Sequence, residues 1–179
     1  MKILLHVCCA PCLIHPFKSL TEQGFRVEGF FYNPNIYPSD EYSRRLEAVK
    51  LFSGDAQVGM TYADYLPAEF DRAIGSSIQA PERCRKCWGL RMRRTAGYAR
   101  DNGFDAFTST LLVSPYQDQE ALKAIGESAA GEAGVRFHYE DFRPGFRQAH
   151  AQAREMGIYC QKYCGCSYSR LERESRKKK

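Results

Sequence analysis

Eight cysteines in a chain of 179 residues fall into three tight clusters, and this placement constrains the protein more than any other feature of its sequence. The clusters are Cys8, Cys9 and Cys12; Cys84 and Cys87; and Cys160, Cys164 and Cys166. A small secreted domain spends such a count on disulfide staples, because its core is too small to hold it together. Here 44% of the residues are hydrophobic and 26% charged, the composition of a globular protein with a core of its own. No apolar run approaches the ~20 residues of a membrane span. Residues 3–7 are too short for a secretory signal and have neither a basic segment nor a cleavage site around them. The expectation is one domain, 1–179, located in the cytoplasm and ending in a basic tail at 175–179. Clustered thiols in that compartment hold a metal or carry redox chemistry.

The pattern between the clusters alternates strand with helix. Residues 2–8 form an apolar strand, and 13–23 a helix with Pro16 in its first turn and Gly24 just past its end. A second strand at 26–32 and a proline-bearing loop at 33–38 follow, with Ser39 placed to cap the next helix. A weaker strand lies near 56–60, helical stretches near 62–74, and a long helix near 82–102. A strand at 105–111, a helix at 116–130, a strand at 135–139 and a helix at 144–156 lead into the last cysteine segment. Such alternation predicts an α/β, Rossmann-like or HUP-like parallel sheet with helices on both faces. Ligands in these folds bind beyond the carboxyl ends of the strands, where Cys8, Cys9 and Cys12 fall.

Each cluster admits a chemical and a plain reading. Strand-end cysteines can be small buried hydrophobes, yet three in five residues, followed by a helix N-terminus that favours thiolate charge, suit a metal better. Cys84 and Cys87 at a helix start put both sulfurs on one face, a spacing shared by zinc, iron–sulfur and redox sites. Cys164-Gly165-Cys166 would close a strained, easily reduced disulfide; its sulfurs could equally be further metal ligands. The four histidines, His6, His15, His138 and His150, have no ligand spacing. Net charge is +5, with arginines at 44, 45, 83, 91, 93 and 94 suited to a phosphate-bearing partner or to a solvated helix face. Tyr32, Tyr37, Tyr42 and Tyr116 could stack on unpaired bases or pack in the core.

Four segments together resemble the QueH-type epoxyqueuosine reductases. They are Leu5-His6-Val7-Cys8-Cys9-Ala10-Pro11, Tyr32-Asn33-Pro34-Asn35-Ile36, Arg83-Cys84-x-x-Cys87 and Tyr163-Cys164-Gly165-Cys166-Ser167-Tyr168-Ser169. Thr108-Ser109-Thr110-Leu111 and Ser114-Pro115-Tyr116 extend the resemblance over essentially the whole chain. It implies an iron–sulfur oxidoreductase that reduces epoxyqueuosine to queuosine at the wobble position of tRNA, without cobalamin. It implies a [4Fe–4S] cluster on Cys8, Cys9, Cys84 and Cys87, a redox-active disulfide of Cys164 and Cys166, and an additional iron beside the cluster near Cys12. Cys160 receives no role. The implied partners are the tRNA anticodon stem-loop, contacted through Arg44, Arg45, Arg83 and Arg91, and an unidentified electron donor; no membrane is involved. Asp40, Glu41, Tyr116 and Lys162 are the candidate proton donors for oxygen departure. Two other classes stay open. One is a zinc-stabilised nucleic-acid-binding module without turnover. The other is a PP-loop-like tRNA thiolation enzyme, which would need phosphate-cradling glycines that residues 8–12 lack.

Overall fold

The structure, a computed structural model, describes residues 1–177; residues 178 and 179 of the basic tail lie outside the described residues. Five parallel strands form one sheet: β1 (Lys2–His6), β2 (Arg26–Phe31), β3 (Gly59–Tyr62), β4 (Ala106–Ser109) and β5 (Arg136–Phe137), in the order β3-β2-β1-β4-β5. β1 is central because its run Ile3-Leu4-Leu5-His6 is buried on both faces, which only an inner strand of a covered sheet tolerates. The expected α/β architecture is therefore present. Strand order reverses beside β1, so the crevice between the ends of β1 and β4 is the topological switch point.

The helices are α1 (Ala10–Glu22), α2 (Ser39–Asp55), α3 (Pro67–Ile74), α4 (Glu82–Asp101), α5 (Gln119–Ala133), α6 (Phe146–Glu155) and α7 (Ser167–Lys177). Several local expectations are corrected. α1 begins at Ala10 rather than residue 13, because Pro11 fits the first turn, where its missing N–H costs nothing. Pro16 then lies inside the helix, and its ring leaves the Cys12 carbonyl without the usual intrahelical donor. Ser39 is the first residue of α2 rather than its cap; Pro38 takes the cap position and no side chain caps that end. The third strand starts at Gly59, three residues later than expected, and the fourth gives way at Thr110 to a short 3-10 helix (Thr110–Val113). α7, which the sequence left as an unassigned cysteine-bearing segment, carries the Arg170–Glu174 pair at helical spacing.

His6 ties the switch point together. Its Nε2 lies 3.1 Å from the Tyr32 carbonyl after β2, and its Nδ1 lies 2.9 Å from Ser109 Oγ at the end of β4. Burial, assisted by the nearby Arg91 cation, lowers its pKa to about 4, so the ring is a neutral strut rather than a charge.

Candidate metal centre

Three of the thiols converge where β1 ends. Cys8 and Cys9 follow the strand, Cys9 capping α1 in an extended conformation (φ −171°, ψ 165°), while Cys12 lies within the first turn of that helix. Their sulfurs lie within 4.8 Å of one another, and the Cys8–Cys9 separation is 3.7 Å. That separation suits two ligands of one tetrahedral ion with metal–sulfur bonds of about 2.3 Å. Among the described residues, no other three Cys, His, Asp or Glu ligand atoms meet so closely. The first turn of α1 contains no acid, so its free N–H groups and dipole favour negative charge on this trio.

The trio is prepared to hold that charge unevenly. Hydrogen bonds from Cys12, and secondarily from Cys9, hold the Cys8 thiol pKa well below its ordinary value, and Thr110 adds to the effect. Thr110 Oγ1 accepts from the Cys8 amide at 3.0 Å and donates to its sulfur at 3.2 Å. Burial pushes Cys9 up, and hydrogen bonding to Cys8 pushes Cys12 up. Cys8 is thus the thiol of the three on which negative charge is most favoured. Gln161 Nε2 closes the site from the C-terminal segment, 2.8 Å from Cys9 Sγ and 3.8 Å from Cys12 Sγ. Sequence reasoning gave no role to Thr110 or Gln161. Thr110 was findable as the residue leaving β4 at the switch point; Gln161 sits in an irregular stretch with no periodic signal.

A second thiol group faces α4. Cys84 and Cys87 are one turn apart, and burial raises both thiol pKa values, that of Cys87 to about 12. Cys166 is buried in a small apolar cluster with Cys87, Phe70 and Ile74, whereas Cys164 is an exposed residue. Desolvation of its sulfur raises the Cys164 thiol, and Arg91 is the main opposing influence. Cys160 stays apart, its sulfur donating to the Ile158 carbonyl.

Buried charge holds the Cys164-Gly165-Cys166 loop in place. Arg45 Nη1 and Nη2 donate to the Cys164 and Tyr163 carbonyls at 3.0 Å each, while its Nε donates to Glu41 Oε1 at 2.8 Å. The Tyr159 hydroxyl donates to Glu41 Oε2 at 2.6 Å, so both Glu41 oxygens are engaged. The Tyr37 amide donates to the Gly165 carbonyl, and the Tyr163 hydroxyl to the Tyr37 carbonyl. Gly165 has φ +147°, and a Cβ there would stand 2.8 Å from Asn35 Nδ2 and 3.4 Å from Arg45 Nη1. Gly165→Ala is therefore expected to cost about 1–3 kcal/mol in backbone strain. Limited proteolysis should show the C-terminal segment released in that variant while the core resists.

The remaining candidates are spread around this centre. Arg45, Arg83 and Arg91 are buried and turned inward, whereas Arg44 is exposed. Arg83 donates to the Ile78 carbonyl and pairs with Glu172 of α7 at 2.9 Å. Asp40, Tyr116 and Lys162 are exposed, Tyr116 to 84%. Tyr32 and Tyr42 pack in the core, which removes them from base stacking; Tyr37 and Tyr116 keep exposed rings.

With the geometry in view, similarity to known proteins is extensive. Residues 3–172 match the family model described as epoxyqueuosine reductase QueH. The chain is 39% identical over 175 residues to epoxyqueuosine reductase QueH of Dehalococcoides mccartyi, covering 96% of this chain and 94% of that protein. It is 34% identical over 182 residues to the protein so described from Thermotoga maritima, covering 97% and 93%. A solved structure described as a predicted subunit of tRNA methyltransferase from Methanocaldococcus jannaschii superposes with a TM-score of 0.54 at 10% identity, covering 86% of this chain and 76% of that one. That likeness speaks for the fold alone.

Proposed function

The chain belongs to the QueH epoxyqueuosine reductase family, and from that premise we propose that its clustered thiols supply both the metal-binding site and the dithiol of one reductase acting on tRNA. It is an oxidoreductase, an epoxyqueuosine reductase, and the cysteine trio is compatible with a metal site. The finer assignment is that Cys8, Cys9, Cys84 and Cys87 hold a [4Fe–4S] cluster, Cys12 serves an additional iron, and Cys164 with Cys166 forms the redox-active pair within a single domain. The single observation carrying it is the convergence of the Cys8, Cys9 and Cys12 sulfurs within 4.8 Å of one another beyond the end of β1, at the switch point.

The donor set fits such a group. Its ligands are thiols only, soft donors that suit iron–sulfur clusters and zinc. Cys84 and Cys87 stand outside the 4.8 Å trio, which supports a polynuclear group, whose thiolates each hold a different metal, over one ion shared by all. The closeness of Cys12 to Cys8 and Cys9 supports a role for it at a neighbouring ion. When bound, the cluster and iron supply Lewis acidity and an electron path.

The chain's own residues account for the rest of the balance. Reducing an epoxide to an alkene takes two electrons and two protons, and the oxygen leaves as water. A dithiol that closes to a disulfide releases two electrons and two protons, so one turnover of Cys164 and Cys166 matches one substrate. Cys164, an exposed residue whose sulfur is desolvated, is the less buried member of the pair, and Cys166 completes it. Glu41, with both oxygens engaged, serves as an anchor; Asp40, Tyr116 and Lys162 are the candidates to pass a proton at the surface. Arg44 and the exposed Arg85, Arg93 and Arg94 would attract the phosphates of an anticodon stem-loop. No described helix is long and apolar enough to cross a membrane.

Anaerobically purified protein is expected to contain about four irons and four acid-labile sulfides per chain, with any additional iron above that. Dithionite should bleach its visible absorption, and the protein should convert epoxyqueuosine in tRNA to queuosine. One zinc, no sulfide and no conversion after reconstitution would overturn the assignment in favour of a binding module.

A further inference from the structure

Three arginines are almost wholly buried around the thiols, and two of them have carboxylate partners. Arg45 pairs with Glu41 at 2.8 Å and Arg83 with Glu172 at 2.9 Å. Arg91 is 1% exposed and forms no ion pair among the described residues. Its Nε makes only a long hydrogen bond, 3.4 Å, to the Cys87 carbonyl, and its Nη2 is buried with no partner at all. A guanidinium without a counter-charge in a dry interior is among the costliest groups a protein can bury. Such a group persists where something absent from the bare chain compensates it.

The position of Arg91 on α4 says what that is. Cys84, Cys87 and Arg91 follow at the first, fourth and eighth positions of one helical stripe, so all three face the same way. The thiols of Cys87, Cys164 and Cys8 are the charges that act most strongly on the Arg91 cation, so members of both thiol groups lie within its electrostatic reach. Four thiolates around a core carrying two positive charges leave a dianion, whether that core is a zinc ion or an oxidised four-iron cube. The loaded site would then contain the negative charge that Arg91 lacks.

We propose that Arg91 is the built-in counter-cation of the metal–thiolate centre, a positioning residue that neutralises the loaded site rather than a contact for RNA. The inference rests on the thiols binding a metal, and it holds for either metal. In the empty protein Arg91 is a burden; in the loaded protein it secures the centre and favours its more negative, reduced state.

The test compares wild type with Arg91→Met, which keeps the apolar stem, and Arg91→Lys, which keeps the charge. In the loaded proteins, Arg91→Met should lose metal to a chelator with an affinity lower by about 10- to 100-fold. Its midpoint potential in a dithionite titration should shift downward, and Arg91→Lys should recover much of both losses. In the metal-free proteins the order reverses, with Arg91→Met melting at a higher temperature than wild type. Metal retention and potential equal to wild type in Arg91→Met would overturn the proposal, as would a metal-free Arg91→Met that melts lower or does not fold. A rise in KM for tRNA alone would return Arg91 to the RNA surface. If wild type binds zinc without sulfide, the cluster assignment fails, while zinc retention still decides the role of Arg91.

Discussion

Arg45→Ala is expected to destabilise the protein by about 3–5 kcal/mol, because it strands a buried carboxylate. Arg45 and Glu41 are 2% and 4% exposed as side chains, so water cannot take over the lost interaction. The substitution also removes the donors that hold the Tyr163 and Cys164 carbonyls, so part of the loss is the fixed position of the C-terminal cysteine loop. At about 2–4 °C per kcal/mol for a chain of this size, the melting temperature should fall by roughly 10 °C. Chemical denaturation of the metal-free protein measures the difference without interference from metal binding. The double variant Arg45→Ala with Glu41→Gln should regain part of the loss, since it no longer buries an unpaired charge. A single variant as stable as wild type would show that Glu41 finds another partner, and the anchoring account of this pair would fail.

That pair also marks the limit of what the sequence discloses. The order of strands and helices was legible because β1 is a short apolar run and α4 is a long segment ended by Gly103, each a local signal. The location of Cys8 and Cys9 followed from the same logic, since a strand must end before Pro11. Burial of charge was not legible. Arg45, Arg83 and Arg91 read as members of a basic surface, because a sequence displays charge without showing the side on which it is spent. Their true surroundings depend on contacts with Glu41, Cys164 and Glu172, two of them more than 80 positions away in the chain. Gln161 was opaque for the same reason: it meets Cys9, 152 positions distant. The helix start at Ala10 was missed because two prolines compete for the first turn, and only packing decides that Pro11 occupies it.

Cys164→Ser and Cys166→Ser are each expected to abolish multiple turnover while leaving the metal content and visible spectrum of the protein intact. The reason is stoichiometric: a disulfide needs both sulfurs, and neither serine can accept or return the electron pair. The two positions differ in setting, and that predicts a difference between the variants. Cys164 is an exposed residue, so serine there should change stability little. Cys166 is packed with Cys87, Phe70 and Ile74 and accepts from the Ser169 amide at 3.4 Å. Serine there places a hydroxyl against an apolar cluster and should cost about 1–3 kcal/mol as well as turnover. Thiol counting on the reduced and oxidised wild-type protein supplies the control, since two fewer reactive thiols after oxidation are expected and neither variant should show that difference. Loss of iron and sulfide from either variant would make its sulfur a metal ligand instead. The dithiol would then have to be sought among Cys12 and Cys160, of which Cys12 lies within the trio and Cys160 stands apart with its sulfur on the Ile158 carbonyl. A redox pair drawn from those two would put the electron store at the β1 trio instead of beside Cys84 and Cys87.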